Sequence, residues 1–235
     1  MDTQTRHSLK TDSFAQAAAS SMSWLSGHRS GLTRSIIAAV AVVVVIVGSV
    51  AFSTWRSSTA ETALGAAMDI YSSPLAQPGA PAENGVYASV SDRSRAANQQ
   101  FVAIAKQYGW LAAGSKAHYF AGVTYEDLGQ NDQAETELKI AAKSWNRNLS
   151  NLAKLALAGL YHQTSRDSQA IDLYNALVAK PSETVPATAA QLDLAELYAG
   201  SGKQDQARAL WAKIKDTDKD GIAGSIAAQK LGDKQ

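Results

Sequence analysis

A chain of 235 residues with 22 basic and 21 acidic side chains carries a formal net charge of +1, which supplies no electrostatic reason to expect a nucleic-acid partner. Cysteine is absent. That excludes disulfides, thiolate metal sites, a cysteine nucleophile and lipid attachment after signal cleavage.

The leading 34 residues are polar with one pattern. Phe14, Ala18, Met22 and Leu25 recur at spacings of three and four, with Trp24 close by. Two readings stand side by side: a short helix with one apolar side lying on the inner membrane face, or a Ser/Ala-rich disordered tail.

SIIAAVAVVVVIVGSVAFSTW, Ser35 to Trp55, follows with no charged residue. As a helix rising ~1.5 Å per residue this run spans about 31 Å, close to a hydrocarbon core of ~30 Å. A lone Val-rich strand could not satisfy its backbone in lipid, so residues 35–55 are expected to be a transmembrane helix in the bilayer, with Trp55 as an interfacial anchor. Arg6, Lys10, Arg29 and Arg34 precede the run, and only Arg56 stands just behind it before Glu61. The positive-inside bias then puts residues 1–34 in the cytoplasm and residues 56–235 outside, which in a bacterial inner membrane is the periplasm. Ser49-Val50-Ala51 has the small-x-small look of a cleavage site, but the long leader and the continuing apolar run favour an uncleaved anchor.

Beyond the run, Ala63, Leu64, Ala67, Met68 and Tyr71 read as a helix continuing from the span. Ala97, Phe101 and Ile104 read as its partner, ending near Tyr108-Gly109. The Pro-rich stretch Ser72 to Gly85 between them is a loop. Next, one segment is written three times: YEDLGQNDQA (Tyr125–Ala134), YHQTSRDSQA (Tyr161–Ala170) and YAGSGKQDQA (Tyr198–Ala207), at steps of 36 and 37 residues. Such a period marks helical repeats. Gly122, Ala158 and Ala195 stand three residues before each Tyr, and Ala134, Ala170 and Ala207 close each segment. Small residues at fixed register let two antiparallel helices cross closely. Leu138, Tyr174 and Trp211 follow at i+4 on the second helices to fill the gaps between pairs. The expected fold is therefore all-α: helix pairs over 115–150, 151–187 and 188–219, with GIAGSIAAQKL as a C-terminal capping helix.

These offsets resemble the tetratricopeptide repeat. Ser165 stands where the turn Gly is usual, Pro181 closes the second unit only, and His118, Lys154 and Gln191 replace the early Trp or Leu. DTDKDG, Asp216 to Gly221, matches half of a calcium loop, but Ala227 occupies the place of the bidentate Glu, so it reads as a turn. GSGK, Gly200 to Lys203, lacks the first Gly and the Ser/Thr of a phosphate loop. His7, His28, His118 and His162 show no ligand spacing, and no nucleophile elbow is visible. No catalytic residue, cofactor or metal is expected, and the chain is not expected to be an enzyme.

Solenoids bind on the concave face lined by the first helices. The groove positions there include Tyr119, Val123 and Glu126, then Leu155 and His162, then Leu192 and Glu196, an apolar surface with a few acids that suits an apolar or helical polypeptide segment. Ala199 is expected on the same open face. The layout of short leader, one anchor and an immediate solenoid resembles the YfgM-like ancillary subunits of the bacterial Sec translocon. Gly200–Trp211 is similar to that family's closing repeat, and FAQAAASSMSWLSGHRSGL to its pre-anchor stretch. The resemblance implies a non-enzymatic inner-membrane protein that partners the translocon and passes emerging chains to periplasmic chaperones. The alternative is a membrane-anchored envelope scaffold or assembly factor whose groove holds an unrelated protein.

Overall fold

The computed structural model describes residues 29–76 and 85–232, and the candidate amphipathic pattern of Phe14, Ala18, Met22 and Leu25 lies outside them. Among the described residues every regular element is a helix. Contacts divide the chain into two units that meet between Arg56 and Ser57.

Helix α1, Arg29–Tyr71, begins in the first unit and takes in all of the expected span 35–55. Its side chains at Ile37, Val40, Val42 to Val47, Val50 and Phe52 are all more than half exposed. The helix is long and apolar enough to cross a membrane. Two hydroxyls near the end of the apolar run are satisfied within the helix: Ser53 donates to the Val50 carbonyl and Thr54 to the Ala51 carbonyl, both at 2.9 Å.

The second unit opens with the last turns of α1 against α2, Val90–Tyr108, and α3, Ala112–Asp127. Ala60, Leu64 and Ala67 meet Ala97, Phe101 and Ile104 in a core that also takes Ala113, Ala117 and Ala121 of α3. The alanines at i, i+4, i+8 give α3 a flat face that lets α2 lie close. Phe101 stacks on Phe120 with centroids 5.3 Å apart, and Tyr71 stands edge-on to Phe101. The buried Asn98 amide is satisfied by donation to the Ala121 carbonyl at 3.2 Å and to Thr124 Oγ1 at 3.0 Å. The two ends of the Pro-rich loop are pinned where Ala76 N–H donates to the Tyr87 carbonyl and Tyr87 N–H to that of Pro74.

Three helix pairs then share one design. They are α3 with α4 (Asn131–Ala141), α5 (Arg147–Gln163) with α6 (Asp167–Ala179), and α7 (Ala187–Gly200) with α8 (Gln204–Thr217). In each pair the same bonds close the turn. Gln130, Arg166 and Lys203 N–H donate to the carbonyls of Tyr125, Tyr161 and Tyr198 at 2.7–2.8 Å, and Leu128, Thr164 and Ser201 N–H to those of Thr124, Leu160 and Leu197. This is a left-handed helix stop, and the residue that makes it has φ of +70° at Gly129, +59° at Ser165 and +75° at Gly202. Ser165 therefore adopts the glycine conformation despite its Cβ. At the crossings Ala134, Ala158, Ala170, Ala195 and Ala207 are fully buried. Gly122 is tighter still, since a Cβ there would stand 2.6 Å from Leu138 Cγ. Leu138, Tyr174 and Trp211 are buried behind the crossings, as the register requires.

The chain closes with α9, Ile222–Gly232, whose Ala227 joins Trp211 and Ile214 in the last core. The Asp216–Gly221 segment acts as the turn into this helix. Gly221 N–H donates to the Asp218 carbonyl, and the Asp218 carboxylate accepts the Gly224 N–H at 3.1 Å.

Candidate binding groove

The repeat register places Tyr119, Leu155 and Leu192 at one equivalent position on α3, α5 and α7, since they lie six residues before Tyr125, Tyr161 and Tyr198. All three are half-buried. Tyr119 and Leu155 pack on the edge of the core that contains Leu157, Tyr161 and Tyr174, and Leu192 packs on the core of α8 and α9. By register these side chains make an apolar row on successive first helices, each with an inner side packed on the fold and an outer side accessible. Val123 on α3 is half-buried as well.

Acids border the row. Glu126 accepts a hydrogen bond from Gln163 Nε2 at 2.9 Å, a direct tie between α3 and α5. Burial pushes its carboxyl above the usual range, against the opposing pull of that bond. The Tyr119 hydroxyl is also raised, by burial and then by Glu126. On α7, burial and then neighbouring Glu196 raise the Asp193 carboxyl. The Tyr174 hydroxyl is pushed far up by burial, with Asp193 and Glu196 adding to it. Both raised carboxyls would be relieved by a cation brought to the row.

His162 and Glu196 are placed differently from the apolar members. His162 is exposed at the α5–α6 turn, where its Nδ1 lies 2.7 Å from Asp167 Oδ1 and helps hold that carboxyl below its usual range. Ser201 Oγ–H donates to the other oxygen of Asp167 at 2.7 Å. Asp167 thus stands between hydroxyl and imidazole, so these three residues make no nucleophile–base contact. Glu196 is exposed and pairs with Lys230 of α9 at 3.1 Å. Ala199, expected on the open face, is half-buried against the α8–α9 core, because the capping helix closes over that turn.

Two groups of functional interest escaped the sequence reading. Asp193 shares its repeat position with Phe120 and Ala156, and its Asp-x-x-Glu spacing to Glu196 was the available signal. Glu135 gathers Lys139 Nζ at 2.5 Å, Arg166 Nη1 at 2.6 Å and the Tyr161 hydroxyl at 3.1 Å. These donors hold its carboxyl down at about 2. The cluster joins α4 of one pair to the α5–α6 turn of the next. Among the described residues no group of His, Asp and Glu is arranged to hold a metal ion.

The described residues thus define a class: a helical-repeat protein carrying one N-terminal helix that is long and apolar enough to cross a membrane. No protein-family model and no curated protein matches the chain.

Proposed function

We propose that the chain is a non-enzymatic, membrane-anchored protein-interaction module. Its helix pairs form a solenoid of tetratricopeptide type in the periplasm, ancillary to the Sec translocon, which links emerging chains to periplasmic chaperones. The observation that carries the reading is the half-exposed apolar row of Tyr119, Leu155 and Leu192, repeated in register on successive first helices. A row with accessible apolar sides, bordered by under-neutralised carboxyls, favours an apolar or amphipathic segment with a basic residue and disfavours an acidic tail. The five-residue step from the anchor's Trp55 to the first packed residue, Ala60, supports a module held close to a membrane-embedded partner. The test is site-specific photo-crosslinking in intact bacterial cells from Tyr119, Leu155 and Leu192. The reading expects adducts with translocon subunits and nascent secretory chains, and none from Gln130 in the turn. Adducts confined to unrelated envelope proteins would replace it with the scaffold reading.

A further inference from the structure

The most exposed large apolar side chains of the second unit lie at junctions between helix pairs: Trp145 at 87%, Ile222 at 83% and Trp110 at 65%. Helices that alternate in direction put the junctions leading into α3, α5, α7 and α9 on one edge of the stack and the Gly129, Ser165 and Gly202 turns on the other. Trp145 sits between two recesses on the junction edge. One is lined by Ala112, Ser115, Lys116 and Leu149, the other by Arg147, Pro181 and Glu183. Lys143 and Arg147 stand two residues to either side of Trp145 in the chain, and both are exposed. Neither forms a salt bridge among the described residues, whereas Lys116 is paired with Glu61 at 3.0 Å.

That pair locates the patch. Glu61 lies four residues beyond Ser57, where the chain enters the second unit directly behind the apolar run. Four helical residues rise only ~6 Å. Contacts inside the unit therefore keep Trp145, which shares a recess with Lys116, near its point of chain entry.

We propose that this edge docks on the surface of the membrane that the apolar helix crosses, with Trp145 in the headgroup region and Lys143 and Arg147 on anionic lipid phosphates. The proposal rests on the anchored reading above. An indole offers an apolar body and one N–H donor, a combination suited to the bilayer interface, and flanking cations suit anionic headgroups. A linkerless tether presents the bilayer at high effective concentration, so a patch of this small size suffices for lipid, where a free protein partner would need a larger surface.

The absence of cysteine allows a clean test with the full chain. Trp145→Cys and, on the opposite edge, Gln130→Cys are each labelled with a nitroxide and reconstituted in vesicles of phosphatidylethanolamine and phosphatidylglycerol. Power saturation then compares collision with oxygen, which partitions into lipid, and with a water-soluble nickel chelate. The expected oxygen-to-nickel ratio is several-fold higher at 145 than at 130. It should fall toward the control when Lys143→Glu and Arg147→Glu are added to a chain of unchanged helicity, or when the vesicles are phosphatidylcholine alone. Equal ratios at 145 and 130, in vesicles that retain the protein through alkaline extraction, overturn the docking while leaving the anchor intact. A label at 145 shielded from both reagents until unlabelled protein dilutes it overturns docking in favour of contact between copies. Loss of the protein to the alkaline supernatant overturns the anchored reading and the docking together.

Discussion

Ser165→Gly should make the protein more stable. Ser165 holds φ at +59° because the Arg166 N–H must reach the Tyr161 carbonyl to close the turn. A left-handed residue with a Cβ costs roughly 1–2 kcal/mol. Glycine removes that cost but frees the unfolded chain by ~0.4–1 kcal/mol. The net expectation is a gain of about 0.5–1 kcal/mol, or a rise in Tm of ~1–4 °C at ~2–4 °C per kcal/mol for a unit of this size. The side chain of Ser165 is exposed, so its deletion leaves no cavity. Gly129→Ala is the mirror experiment: it installs a Cβ at φ +70° and should lower Tm by a comparable amount. Thermal unfolding of the full chain in detergent, followed by circular dichroism, reads both. An unchanged or lower Tm for Ser165→Gly, with Gly129→Ala neutral, would refute the shared-turn argument.

Two further perturbations probe the stack. Ala170→Leu forces a branched side chain into a fully buried crossing and should cost ~1–3 kcal/mol or more, whereas Ala176→Leu on the exposed side of the same helix should be nearly neutral; equal Tm shifts would mean the register is wrong. Glu135, held at about 2 against 4.5 for a free carboxyl, binds fewer protons folded than unfolded, so its contribution is present above pH ~4.5 and is lost as pH falls toward 2. Denaturant titrations across that window should show a shallower loss of stability in Glu135→Gln, and an unchanged slope would remove the cluster from the account.

Local chemistry was readable where one residue type answers one geometric demand. The Tyr-to-Ala segments announced the turns, and the small residues at 122, 158 and 195 announced the crossings. The expectation of a row at Tyr119, Leu155 and Leu192 came from register alone, and all three are half-buried. Even the Ser165 departure was visible as a departure, though its cost required a backbone angle. What stayed hidden depends on distances between pairs. Nothing in the local pattern says that Arg166 reaches back 31 residues to Glu135, or that Asp167 reaches forward to Ser201. Ala199, expected on the open face, packs instead on the core that the capping helix joins, and the Glu196–Lys230 pair is another contact that no local pattern announces.

The core boundaries fall out of phase with the written period. Ala113, Ala117 and Ala121 of α3 belong to the core shared with α1 and α2, while Ala134 and Leu138 of its own partner α4 belong to the core shared with α5, α6 and α7. A seam thus runs inside the first repeat, crossed by the Gly122–Leu138 approach, by Tyr119 and Tyr125 packing on the α4 side, by the His118–Glu137 contact and by the turn bonds. Amide exchange should follow the cores rather than the motif: the last turns of α1 open with α2 and α3, and α4 to α7 open as the next block, so the 36-residue written period is not the block in which the folded chain comes apart.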